Sequence, residues 1–177
     1  TGRFFSALLQ KAKKLFGEKI SNPFIRIATL AVPLAILLFA IHSGRYTGLG
    51  TNLISASFAG ETIYGYDWNF KITFYDFHTG NGFQGGEVTP LFSIGASLGI
   101  ILGSLLGIPP VICAALGYAA VFGSATNTLF APILIGLEVF GSQNIIPLVL
   151  VCIIAYLVNG NRSIYGAQQK ALCRFEE

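Results

Sequence analysis

The sequence predicts an all-α membrane protein whose helices are short and broken. Three observations lead there. Of the 177 residues, 53% are hydrophobic and 11% charged, and the mean hydropathy is +0.67; a soluble domain carries about 25% charged residues. Apolar runs recur along the whole chain, separated by glycine, proline and polar clusters. Several of these runs reach only about 12 to 16 residues, short of the roughly 20 that a spanning helix needs. Runs interrupted in this way are the pattern of discontinuous membrane helices, whose half-helix ends meet at a substrate site.

The net charge of +3 is too small, and the charges too scattered, for a nucleic-acid partner. The basic residues gather toward the ends, at Arg3, Lys11, Lys13, Lys14, Lys19 and Arg26, then at Arg162, Lys170 and Arg174. The positive-inside tendency places both ends in the cytoplasm. Cys113, Cys152 and Cys173 have no metal-ligand spacing and read as free thiols. No cofactor is implied. The chain has no Met, even at position 1, so a fragment or excised part of a longer protein is expected.

Residues 1–22 form the first expected unit. Phe4, Phe5, Leu8, Leu9, Leu15 and Phe16 alternate with Lys11, Lys13 and Lys14. That mixture suits an amphipathic helix at the cytoplasmic surface, or equally a solvated linker helix. Residues 23–166 are the expected membrane unit and 167–177 a cytoplasmic tail. Residues 24–41 are nearly long enough to span, with Pro33 as a kink and Arg26 snorkelling at the cytoplasmic end. Residues 43–52 form a glycine-rich polar turn, and 53–59 are too short to span. Tyr64, Tyr66 and Trp68 fit an interfacial aromatic belt. Residues 70–79 receive no assignment, because Lys71, Asp76 and His78 interrupt an aromatic run. His78 titrates in the right range for a proton relay, but a packed or interfacial polar residue is the favoured reading.

The stretch around which the rest is organised is residues 80–92. Gly80, Gly82, Gly85 and Gly86 precede Glu87, Val88, Thr89 and Pro90, and an apolar helix follows over 91–106. Thr89 is the expected N-cap, with Pro90 in the first turn. A helix that starts inside an apolar environment presents unpaired N–H groups and attracts anions. A plain loop-to-helix junction is the alternative. Gly95, Gly99 and Gly103 share one face and permit close helix packing. Residues 107–110 end this helix, and 111–122 form another short apolar run. Thr126, Asn127 or Thr128 is expected to cap a helix over 129–140. Glu138, inside that run, should be paired or interfacial. Residues 145–158 are the last long apolar run. Tyr165 beyond it is an interfacial anchor, or a hydroxyl donor to an anion.

Gly85-Gly86-Glu87-Val88-Thr89-Pro90, with Leu91-Phe92 and Gly95-Ala96 after it, resembles a signature of the CLC anion channels and transporters. Ala125-Thr126-Asn127-Thr128, Leu137-Glu138 and Ser163-Ile164-Tyr165 follow in the matching order. The usual pattern is Gly-Gly-x-Phe-x-Pro, so Glu87-Val88-Thr89 is a variant. It resembles the fluoride/proton antiporter branch. The resemblance covers the C-terminal half of the family's fold, which is all-α with short, tilted and broken transmembrane helices. It implies anion binding around Glu87, Val88 and Thr89, with Tyr165 closing the inner side. It also implies a homodimer, with the helices over 129–158 contributing to the contact, and a partnership with the N-terminal half of the same protein. The family's gating glutamate belongs to that other half and has no match here. The polar Tyr75-Asp76-Phe77-His78 departs from the family's apolar helix.

Fluoride holds its water tightly, so its site must offer close donors such as helix N-terminal amides and the Thr89 hydroxyl. An ionised Glu87 beside the anion would repel it. Protonation of Glu87 when fluoride binds would couple the two ions. A chloride-selective CLC channel or exchanger is one rival reading. A non-transporting membrane subunit, with Glu87 and Thr89 as caps only, is another. No nucleophile–base motif suggests an enzyme, and His42 and His78 lie far apart in sequence.

Overall fold

A computed structural model describes residues 44–80, 86–160 and 163–165, together with positions 7, 31, 33, 35–39 and 41; for 76–80 it describes the backbone alone. The units expected over 1–22 (save Ala7) and 167–177 lie outside the described residues, as do Arg26, His42, Cys173 and the side chains of Asp76 and His78. Among the described residues all regular structure is helical. The helices are α1 (Thr51–Ala59), α2 (Asp67–Gly80), α3 (Val88–Leu106), α4 (Pro110–Thr126), α5 (Phe130–Phe140) and α6 (Ile145–Val158); residues 35–39 are helical as well. By length and composition one of them, α3, can cross a membrane, with a mean hydropathy of 1.8. The apolar helices α4, α5 and α6 fall short of that length. The broken-helix pattern is therefore the architecture.

The centre of the fold is the α3–α4 hairpin. Gly107 closes α3 at φ 68, with its N–H bonded to the Gly103 carbonyl. A left-handed residue of this kind is cheapest as glycine. Pro109 then caps α4, and Pro110 opens it, where a missing N–H has no cost. The two helices run back to back with almost nothing between them. A Cβ on Gly95 would land on the Gly117 carbonyl, and one on Gly99 on the Cys113 carbonyl. At Gly103 it would meet Cys113 Cβ at 2.9 Å. All three glycines of the face read from the sequence thus meet α4.

At the far end of the hairpin the start of α3 packs against the end of α4. The Phe92 ring stacks parallel on Tyr118 at 3.9 Å and sits 4.9 Å from Phe122. Leu91, Ile94, Val121 and Ala125 complete this core with Tyr75 of α2 and Ile164. The helix α6 lies on α4 through Ala119, Leu148 and Cys152. Gly136 of α5 admits Leu148, whose Cδ2 would be 2.8 Å from an added Cβ. The outer faces of α5 and α6 are apolar and exposed, at Phe130, Leu134, Ile146, Ile154, Leu157 and Val158. Glu138 is also exposed on α5.

Two expectations need correction. Thr89 is not the N-cap of α3. Glu87 holds that position with αR dihedrals (φ −80°, ψ −21°) and no side-chain cap hydrogen bond. The chain is already helical there, so Thr89 falls inside the first turn. Nor do Thr126, Asn127 and Thr128 cap α5, whose N-cap is Leu129. Thr126 is instead the last residue of α4, and its hydroxyl turns back to the Phe122 carbonyl at 2.8 Å. Asn127 caps the C-terminus of α4 at φ 56, a left-handed role that asparagine tolerates. The stretch left unassigned, 70–79, is the body of α2.

Gly99→Val tests the hairpin contact. The added methyls meet backbone that cannot yield, and about 3 kcal/mol of stability should be lost. A melting temperature in detergent equal to that of the unchanged protein would exclude this account of the packing.

Candidate functional site

Three polar residues lie one helical turn apart on a single face of α2: Asp67, Lys71 and Tyr75. They are 0%, 1% and 6% exposed. Positions i, i+4 and i+8 stack above one another on a helix. Asp67 and Lys71 reach the loop over 44–50, and Tyr75 reaches Gly86.

The Asp67 carboxylate accepts the Tyr46 hydroxyl at 2.6 Å, an Arg45 guanidinium N–H at 2.8 Å and the Tyr64 N–H at 3.0 Å. Arg45 also lies 5.2 Å from the Tyr64 ring centre. Burial, and then the Asp67 carboxylate, hold the hydroxyl of Tyr46 in this loop well above its ordinary pKa. The Lys71 ammonium donates to the carbonyls of Tyr46 at 3.1 Å, Thr47 at 3.5 Å and Gly48 at 2.8 Å. Its three donors match three converging acceptors. Gly50 closes the approach. A Cβ there would strike Ser93 Oγ at 2.5 Å and Lys71 Cε at 2.7 Å. The loop over 44–50 is thereby pressed onto the first turns of α3. Finally, the Tyr75 hydroxyl donates to the Gly86 carbonyl at 3.1 Å, one residue before Glu87. A cavity of about 160 Å³, with Lys71, Tyr46 and Tyr75 among its walls, lies beside this stripe.

Glu87, Val88 and Thr89 occupy successive half-buried positions where α3 begins. Val88 packs on the same core cluster as Ile164. The Ile164 N–H donates to the Ala125 carbonyl at 2.9 Å, and Ser163 Oγ donates to the Thr126 carbonyl at 3.1 Å. Ser163 Oγ also receives the Tyr165 N–H at 3.1 Å. Nearby, Asn159 accepts from Ser124 at 3.2 Å and donates to Asn127 Oδ1 at 3.4 Å. The short segment carrying Tyr165 is thus tied to the end of α4, opposite the start of α3. The Tyr165 ring itself is 45% exposed. The core brings the two predicted site segments to one end of the α3–α4 hairpin.

Sequence reasoning missed the stripe on α2 and the clamp at Asn159. The stripe left a signal: an acid, a base and a tyrosine at four-residue spacing in an otherwise aromatic run.

Short, broken apolar helices around a glycine-packed hairpin, with a helix start facing the tethered segment over 163–165, fit an integral membrane protein. The chain belongs to the voltage-gated chloride channel family, or CLC family, whose model matches residues 1–160. A curated relative, the chloride/fluoride channel protein of Pseudomonas syringae pv. tomato, is 38% identical over 176 residues. The match covers 96% of this chain and 38% of the relative. An uncharacterised protein of Methanocaldococcus jannaschii is 27% identical over 178 residues, covering 93% of this chain and 44% of its own length. Among solved structures, a CLC-type fluoride/proton antiporter superposes with a TM-score of 0.92 at 50% identity. That match covers 95% of this chain and 42% of the antiporter chain. The chain thus spans well under half the length of these relatives.

Lys71→Met tests the clamp. Removing the ammonium leaves three loop carbonyls without their donor in a buried site, a loss on the order of 3 kcal/mol. Faster amide hydrogen exchange over residues 44–50 and a lower melting temperature are expected. Unchanged exchange there would refute the clamp.

Proposed function

We propose that this chain is the C-terminal half of a CLC-type membrane transporter that exchanges fluoride for protons. The observation that carries the reading is an acid, Glu87, at the start of an apolar helix where the family's usual pattern is apolar. The similarity to a structure described as a CLC-type fluoride/proton antiporter supports it.

In this reading fluoride sits at the first turn of α3, against the backbone N–H groups of residues 87–89 and the Thr89 hydroxyl. These donors suit a small anion that gives up water reluctantly, because a helix N-terminus supplies partial positive charge without a mobile counter-ion. Glu87 is protonated while the anion is bound, which couples the two ions; for opposed movement the anion leaves to one side and the proton to the other. Tyr165 closes the inner side of the pathway. The N-terminal half of the same protein supplies the gating carboxylate. Residues 23–166 are the transport unit, 1–22 and 167–177 flank it in the cytoplasm, and the whole lies in the bacterial inner membrane. The apolar outer faces of α5 and α6 suit contact with lipid or with a second subunit in a homodimer.

A second reading, a chloride-selective CLC protein, draws on the name of the Pseudomonas relative, which covers chloride and fluoride alike. Efflux from liposomes holding the full-length protein separates the two. Fluoride efflux with opposed proton movement is the expected result, and chloride efflux without proton movement overturns the first reading. Glu87→Gln in the same protein should abolish proton coupling, and coupled exchange left intact in that variant would remove Glu87 from the mechanism.

A further inference from the structure

We propose that Tyr75 is a positioning residue for the anion donors at the start of α3, acting through the Gly86–Glu87 peptide. The proposal rests on the functional reading above and adds a residue that the family signature does not contain.

The argument begins with the peptide unit itself. The Gly86 carbonyl and the Glu87 N–H belong to one planar trans amide and point in opposite directions. A hydroxyl that holds the carbonyl therefore fixes the direction of the N–H. Tyr75 holds it at 3.1 Å, so the Glu87 N–H faces away from α2. Glu87 is the N-cap of α3, and its neighbours 88 and 89 carry the first orphan N–H groups of the helix.

The restraint has to come from outside the segment. Four of the seven residues from Gly80 to Gly86 are glycine, which adopts both hands of backbone with little preference. A sequence of this kind does not by itself dictate the orientation of the Gly86–Glu87 peptide. On one side Leu49 Cδ2 is 3.9 Å from where a Gly86 Cβ would be. On the other stands Tyr75. Its ring is 6% exposed and belongs to the same core as Leu91 and Phe92, with Val88 packed against it. One turn earlier on α2, Lys71 is locked to the loop carbonyls. The donor is therefore fixed by packing, the acceptor peptide has no side chain at Gly86 to hold it, and the hydrogen bond ties one to the other.

Tyr75→Phe removes the hydroxyl and keeps the ring. In the full-length protein reconstituted in liposomes, the fluoride KM should rise roughly fivefold, the worth of one neutral hydrogen bond. Fluoride-over-chloride selectivity should fall with it, because chloride depends less on close donors. Maximal rate and melting temperature should stay at wild-type values. A fluoride KM and selectivity equal to wild type would overturn the proposal. A lowered melting temperature with equal losses for both anions would overturn it too, since that outcome marks a packing role alone. Thr89→Val and Glu87→Gln, measured beside it, keep the two levels apart. If those variants also leave fluoride transport unchanged, the site reading itself fails. If they alter it and Tyr75→Phe does not, only the positioning role fails.

Discussion

The constraint on which the structure depends is the bare backbone contact between α3 and α4. Where two helices meet through Gly95, Gly99 and Gly117, their axes have little freedom to slide or spread. In a bilayer, where apolar side chains gain little by meeting each other rather than lipid, close approach of this kind is a main source of helix association. Its effect reaches beyond stability. The start of α3 and the end of α4 lie at the same end of the hairpin, so their separation is set by the seam. The segment over 163–165 hangs from the end of α4 by two hydrogen bonds. The seam therefore fixes the relation between Glu87-Val88-Thr89 and the Tyr165 segment, although no residue of the seam belongs to either.

A second layer of constraint runs along α2. Buried charge in a membrane protein is costly and persists where it is paired or bonded to backbone. Asp67 is enclosed by a guanidinium, a hydroxyl and an amide. Lys71 is held by the backbone carbonyl oxygens of Tyr46, Thr47 and Gly48. Each arrangement uses a polar side chain to hold irregular backbone that has no ladder of its own. This is how a chain can keep a glycine-rich loop in register against the first turns of a helix. The loop over 44–50 and the approach to Glu87 are both held in this way.

Much of this was legible in the sequence. The breaks at Gly107 and Pro109, the glycine face of α3 and the shortness of the later helices follow from residue type and spacing. So did the position of residues 87–89 at the start of α3, although Glu87 rather than Thr89 is the N-cap. The caps were not legible. Thr89 and Asn127 are suitable N-caps by composition, but capping depends on where the backbone leaves helical dihedrals, and tertiary packing moved those points. The helix α2 was unreadable for a related reason. Its polar residues obscure the hydropathy pattern, and their partners, Arg45, the loop carbonyls and Gly86, are set by the fold and not by local sequence. The family resemblance singled out the segments over 85–90 and 163–165 without revealing what holds them.

The stripe on α2 has a consequence for biogenesis. An inserting machinery that samples segments by hydropathy meets in α3 a helix it can release into lipid on its own merits. In α2 it meets a lysine that costs up to about 3 kcal/mol in an isolated span. The carbonyl oxygens that bond the Lys71 ammonium lie upstream, at residues 46–48, and have already been synthesised when α2 emerges. The Gly86 carbonyl that takes the Tyr75 hydroxyl follows only after the glycine connector. Burial of α2 therefore depends on both neighbours, the preceding loop that bonds Lys71 and the start of α3 that follows Gly86. The order of the chain is also the order in which its buried charges become tolerable.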